Sequence, residues 1–182
     1  MEIYHTLRPT GINTRDDFYS GWPNFWENCY KNVNEATKSE TDYNYNSDTS
    51  GVAQTQSVLY TLGTYSGGDA ISRITLNGYY RTGGVSGARA RFRIKTGGTI
   101  YEDSFFNPDT SAYTLYSKVY TTNPKTGNPW SAAEVNALAA GDSLQTIVYT
   151  DVSNISMSYC CQFWVTVVEA AVESGGNFFL VM

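Results

Sequence analysis

At 182 residues the chain has the size of one domain, long enough to bury a core without disulfides or a metal. Its 16 glycines, 15 tyrosines and 16% charged residues make the composition of strands and tight turns rather than of a helical bundle. The formal net charge of −5 repels a phosphate backbone, which argues against nucleic-acid binding, and no run approaches the roughly 18 apolar residues that insertion into a membrane requires.

The opening stretch MEIYHTLRPTG has no charged region followed by an apolar one, so no conventional signal peptide is expected and synthesis in a cytoplasm follows. A short strand is predicted around Ile3 to Leu7. Residues 8–50 lack clean periodicity and are rich in Asn, Asp, Tyr and Trp; they read as an irregular region with short strands near Trp26 to Val33 and Tyr43 to Tyr45. From Val52 the alternation becomes regular. Strands are predicted at 54–62, 70–81, 88–96, 99–106, 112–122, 144–150 and 155–170, separated by turn residues. Strands at this spacing predict an all-β, antiparallel sandwich or barrel spanning 1–182 as one domain.

Within RFRIKTGGTIYEDSFF, the Gly97-Gly98 pair suits a two-residue hairpin turn, which sets Thr96 opposite Thr99, Ile94 opposite Tyr101 and Arg93 opposite Glu102. Ala88, Ala90, Phe92 and Ile94 then point inward, and Arg89, Arg91, Arg93 and Lys95 outward. Asp103 falls on the inward face, where a bend or bulge is expected.

One short α-helix is predicted near residues 131–140. Ser131 and Glu134 form a capping box, Trp130 and Val135 have the spacing of a hydrophobic staple, and Gly141 is placed to end the helix in a left-handed conformation. Val135, Leu138 and Ala139 make its apolar side, and so short a helix must dock on the sheets to be stable. In the last strand Met157, Tyr159, Cys161, Phe163, Val165 and Val167 fall on one face as a continuous core row. The tail SGGNFFLVM, 174–182, caps the core or docks on a neighbouring subunit.

The three cysteines, Cys29, Cys160 and Cys161, are expected to be reduced, with Cys161 in the core; a Cys29–Cys160 bridge is the alternative. Chemistry finds few footholds. His5 is the single histidine and has no nucleophile motif around it, and zinc, haem and P-loop motifs are missing from the sequence. Paired carboxylates remain for a glycosidase: Asp16, Asp17, Asp42, Asp48, Glu102, Asp103 and Glu134. Glu134 doubles as a cap partner and Glu102 as the partner of Arg93, so an enzyme is not the expectation. Asp42, Asn44, Asn46 and Asp48 alternate as oxygen ligands for calcium would, or as the polar face of a strand would. Trp22, Trp26, Tyr43, Tyr45, Tyr79 and Tyr80 could stack on sugar rings, or pack beneath the N-terminal region. Arg89, Arg91 and Arg93 either meet an acidic partner or form a solvated strand face.

The runs LRPTG, WENCYKNVNEATKSETDYNYNSDTSG, GYYRTGGVSGARARFRIKTGGTIYE and above all YTTNPKTGNPWSAAEVNALAAGDSLQ resemble a family of phage and archaeal-virus structural proteins. The likeness spans about residues 7 to 168, and its most specific part is T-N-P-x-T-G-x-P-W with the following helix, Thr122 to Leu138. After that helix this chain departs from the acidic or valine-rich continuation common in the family. The resemblance implies a jelly-roll or lectin-like sandwich and a virion setting. It carries over no catalytic residue and no cofactor, calcium being the one candidate. The implied role is a non-enzymatic capsid decoration or head/tail appendage protein, made in the host cytoplasm, that binds the major capsid protein and itself, a trimer being favoured. The alternative is a carbohydrate- or host-surface-binding module of a fibre or tail tip.

Overall fold

The alternating residues fold into two facing antiparallel sheets. In chain order the elements are β1 (Ile3–Leu7), β2 (Pro9–Arg15), β3 (Asn44–Tyr45), β4 (Thr55–Leu62), β5 (Ile71–Gly83), β6 (Arg89–Thr96), β7 (Thr99–Glu102), β8 (Thr114–Tyr120), α1 (Ala132–Asn136), β9 (Ala139–Gln145), β10 (Ile147–Val148) and β11 (Ile155–Glu169). The computed structural model describes residues 1–15, 33–38, 43–45, 55–83, 87–110, 112–145, 147–148 and 155–170; Trp22, Trp26, Asp16, Asp17, Cys29, Asp42, Asn46, Asp48 and the tail 174–182 lie outside them.

The six-stranded sheet runs β1-β11-β5-β8, with β3 and β10 also on β11, and the five-stranded sheet runs β2-β4-β9-β6-β7. Setting aside β2, β3 and β10, the first strand lies beside the last, and the chain crosses between sheets in the double Greek key of a jelly roll. The crossing begins at Arg8, where the chain leaves β1 in one sheet and enters β2 in the other. Tyr60, Phe92, Phe163 and Tyr80 fill the space between the sheets, with Phe92 and Phe163 6.3 Å apart and Tyr80 edge-on to Phe92 at 5.7 Å. Asn44 is buried too, donating across the interior to the Tyr60 hydroxyl at 3.0 Å.

The hairpin takes the expected register: Thr96 faces Thr99, Ile94 faces Tyr101 and Arg93 faces Glu102. Gly97 and Gly98 both have positive φ, 54° and 80°, the turn conformation that glycine alone adopts without strain. Ala88, Ala90, Phe92 and Ile94 are buried as the alternation requires. β7 ends at Glu102 rather than at Phe106, though Asp103 N still donates to the Phe92 carbonyl at 3.0 Å and Phe106 bridges to Ala90; the Asp103 carboxylate pairs with Lys118 of β8 at 2.8 Å.

Four expectations need correction. Residues 9–15 form β2, whose pairing with β4 shifts register twice, between Pro9 and Gly11 and between Ile12 and Thr14, so the strand carries no clean two-residue period. The core row of β11 is not continuous. A bulge between Cys160 and Gln162 adds one residue and exchanges the faces, so Ser158 and Cys160 face the core before it and Phe163, Val165 and Val167 after it. Met157 and Tyr159 therefore lie outside the core; Cys160 joins the core cluster, and Cys161, at the bulge, is fully buried as expected, both as free thiols. The helix is shorter than 131–140, and Gly141 does not end it. Its C-cap is Ala137, and Gly141 lies in the middle of β9, where a Cβ would stand 2.1 Å from the Val58 carbonyl oxygen. Glycine is required there by the close approach of β4, not by a left-handed turn. The strand expected at 144–150 accordingly begins earlier, as β9 at Ala139, with the two-residue β10 after it.

The start of the helix is as the sequence indicates. Glu134 N donates to Ser131 Oγ at 3.3 Å and Ser131 N donates to Glu134 Oε2 at 2.9 Å, closing the capping box. The bonds to Ser131 hold the Glu134 carboxyl below its usual range. Trp130, Val135 and Leu138 are buried in the core, and Trp130 Nε1 donates to the Tyr120 carbonyl at 3.2 Å. The segment before the helix is tied by Asn123, whose amide reaches Glu134 Oε1 at 2.8 Å.

Candidate functional site

The outer face of the six-stranded sheet carries the most chemistry. Alternation along β11 places Gln162, Trp164 and Thr166 outward, while Tyr79 and Asn77 of β5 are their outward neighbours. The Tyr79 and Trp164 rings lie 5.9 Å apart, tilted by 38°. They adjoin a groove of about 420 Å³ lined by Thr6, Arg8, Ala36, Thr37, Lys38, Tyr79, Gln162 and Trp164.

One wall of this groove is the segment 33–38, fastened by four bonds to β11 and to Arg8. Phe163 N donates to the Val33 carbonyl at 2.8 Å, Gln162 Nε2 donates to the Glu35 carbonyl at 2.6 Å, and Arg8 Nη2 donates to the Ala36 carbonyl at 3.4 Å. Arg8 Nη1 also donates to the Glu35 carbonyl. Partial burial lowers the Arg8 pKa, yet a guanidinium keeps its charge at any physiological pH. The fastened segment carries Lys38, whose ammonium stands 5.3 Å from the centre of the Tyr79 ring. The wall thus delivers a cation to an aromatic floor.

Further along the same face lies a second aromatic group. The Arg81 guanidinium is 4.5 Å from the Tyr159 ring centre and 5.0 Å from that of Tyr113, and Tyr45 stacks on Tyr159 at 5.6 Å. Tyr43 meets Tyr159 edge-on at 5.3 Å. Burial pushes Tyr113 up to about 12, so its ring meets Arg81 as a neutral phenol. Tyr43 and Tyr45 do share a neighbourhood, as their spacing indicates, but they are packed on Tyr159 rather than standing open. Tyr79 and Tyr80 point to opposite faces, Tyr80 into the core.

The arginine row of β6 lies on the outer face of the other sheet. Arg91 Nη2 and Arg93 Nε grip the two oxygens of Glu102 at 2.6 and 2.9 Å, and Arg91 stacks over Phe105 at 4.5 Å. Arg89 is exposed at the end of the row. Of the calcium candidates Asn44 alone is described, and its amide is turned to Tyr60 in the interior. His5 Nε2 stands 2.9 Å from Glu169 Oε1, a carboxylate that also accepts from the Tyr65 hydroxyl at 2.7 Å and Gly68 N at 3.0 Å. Among the described residues no helix is long and apolar enough to cross a membrane.

Sequence reasoning singled out Tyr79 but missed Trp164, Gln162, Arg8 and Lys38. Gln162 and Trp164 alternate with Phe163 and Val165, which marks them as outward residues and is the signal the sequence carries for them. Arg8 and Lys38 have no pattern of their own: a corner between sheets and a loop bring them together. Compared with protein-family models the chain matches none, and compared with curated proteins it matches none.

Proposed function

We propose that the protein is a non-enzymatic structural component of a viral particle, a capsid decoration or head/tail appendage protein that binds the major capsid protein and itself. The observation that carries this reading is the edge strand β8. It ends the six-stranded sheet, and it turns Leu115 and Val119 outward at 47% and 48% exposure. Natural sheets guard such edges with charge, above all with lysine. Here the lysine of β8 is engaged elsewhere, bound through Lys118 to Asp103. An unguarded apolar edge suits a protein whose work is burying surface against partners.

The carboxylates favour the same reading. Glu102 is held by Arg91 and Arg93, Asp103 by Lys118 and Glu134 by its cap, so each has a structural task. A jelly roll is an architecture used by viral capsid and lectin domains, and fold alone assigns no function; the resemblance around Thr122 to Leu138 supplies the virion setting. Analytical ultracentrifugation provides the test of self-binding. Wild-type protein is expected to sediment as a symmetric oligomer, a trimer being favoured, and the Leu115→Lys/Val119→Lys variant as a folded monomer. Identical sedimentation of the two would remove β8 as the contact.

A second reading, a carbohydrate- or host-surface-binding module of a fibre or tail tip, is favoured by the groove beside Trp164. It moves the glycan contact away from Tyr43, which is packed on Tyr159, to Trp164 and Tyr79.

A further inference from the structure

An acidic protein has built one groove with two cations and no carboxylate among its lining residues. The chain carries a net charge of −5, yet Arg8 and Lys38 both line the groove beside Trp164. Long-range charge would not gather anions on this molecule, so the local pair must act at contact distance. Both cations are held in place rather than left to solvent. Arg8 is anchored through the carbonyl oxygens of Glu35 and Ala36, and it keeps further N–H donors beyond those two bonds. Lys38 sits at the end of the segment those bonds secure, over Tyr79.

The floor indicates what accompanies the negative charge. Lys38 lies against the Tyr79 ring, which leaves Trp164 as the open plate. The two rings are tilted by 38°, so they do not form a parallel slot for a flat base. A tilted pair with one open plate suits the C–H face of a sugar ring, and Thr6, Thr37 and Gln162 add hydroxyl and amide groups suited to a polyhydroxylated ligand. A volume of about 420 Å³ accommodates one or two sugar units.

From these residues we infer that the groove binds an acidic sugar, a pyranose bearing a carboxylate, with Trp164 stacking on the ring and Lys38 and Arg8 meeting the carboxylate. The inference rests on the carbohydrate-binding reading above and narrows it to one ligand class. β8 is the neighbouring strand, with Leu115 paired to Tyr79, so the titrations are repeated on the Leu115→Lys/Val119→Lys variant to separate sugar binding from assembly.

Glucose and glucuronate make a matched pair, differing only in the carboxylate. Saturation-transfer NMR and titration calorimetry on the full chain would compare them, with longer acidic oligosaccharides, AMP and inorganic sulfate alongside. Glucuronate is expected to bind about fivefold or more tightly than glucose at low salt, with the advantage shrinking as salt is added. Lys38→Gln should erase that preference while leaving the melting temperature unchanged. Trp164→Ala should abolish binding of both sugars, and the melting curve checks that the variant is folded. Equal binding of glucose and glucuronate would overturn the acidic assignment and leave the carbohydrate reading standing. No binding of any sugar would overturn both. Tighter binding of AMP or sulfate than of glucuronate would overturn the inference in favour of a nucleotide or simple anion site.

Discussion

Asp142 is a carboxylate in the wrong place by any rule of composition: fully inside the sandwich, with the Tyr80 hydroxyl donating to it at 3.0 Å. Burial raises its pKa from 3.8 to about 6, while the bonds from Tyr80 and Cys160 and the charge of Arg93 pull the other way. The folded state therefore holds this proton more tightly than the unfolded chain does. Its stabilising contribution is full below about pH 4 and is lost as pH rises through about 6, a swing on the order of 3 kcal/mol. Asp142→Asn keeps an acceptor for Tyr80 and removes the charge. The variant is expected to melt higher than wild type at pH 7 to 8 and to lose the difference near pH 4; parallel melting curves across that range would refute the assignment. Gly141 makes a sharper steric claim. With the Val58 carbonyl oxygen 2.1 Å from where a Cβ would sit, Gly141→Ala must push β4 from β9, costing about 1–3 kcal/mol and several degrees of melting temperature. An alanine variant as stable as wild type would show that the strands part freely there.

Elements were legible where one local rule decided them. The Gly97-Gly98 turn fixed a hairpin register residue by residue, and Ser131 with Glu134 fixed the start of α1. Both depend on neighbours a few positions away. β11 was misread because its faces are decided by an insertion: with Cys161 as the extra residue, the row from Met157 to Val167 is two rows joined at a bulge. An unbroken apolar alternation conceals such a bulge, since Tyr159 is as acceptable outside as inside. Gly141 was misread for a related reason, because a glycine after an apolar helix looks like a stop, and the approach of β4 comes from more than 80 positions earlier in the chain. The bulge gives a direct prediction. Cys161→Ala should fold with a modest loss of stability. Deleting Cys161 should also leave a folded protein, because Cys160 and Gln162 already face the adjacent Tyr80 and Tyr79, and Ser158, Cys160 and Phe163 stay inward. Deleting Val165 instead turns Val167 away from the core and should prevent folding. Circular dichroism and a melting curve distinguish the cases, and a Cys161 deletion that fails to fold, or a Val165 deletion that folds as well as wild type, would contradict the two-row account.

Across the whole molecule, sandwich architecture followed from strand spacing, and the jelly-roll order emerged once β11 was seen between β1 and β5. The groove was less legible, because its parts come from β1, the 33–38 segment, β5 and β11 and share no sequence pattern. The molecule divides its surfaces. The outer face of the five-stranded sheet is closed by the Arg91–Glu102–Arg93 cluster, and the opposite sheet offers an apolar edge at β8 and a cationic, aromatic groove at Trp164. A protein arranged in this way presents an apolar edge and a ligand groove on neighbouring strands of one sheet, as a component of a particle surface would. The most direct test is immunogold electron microscopy, with antibody raised against the purified protein, of the particulate and soluble fractions from cells producing it from its native locus. Regularly spaced label on viral particles is the predicted result, and label confined to the soluble fraction, with particles unmarked, would contradict the virion assignment.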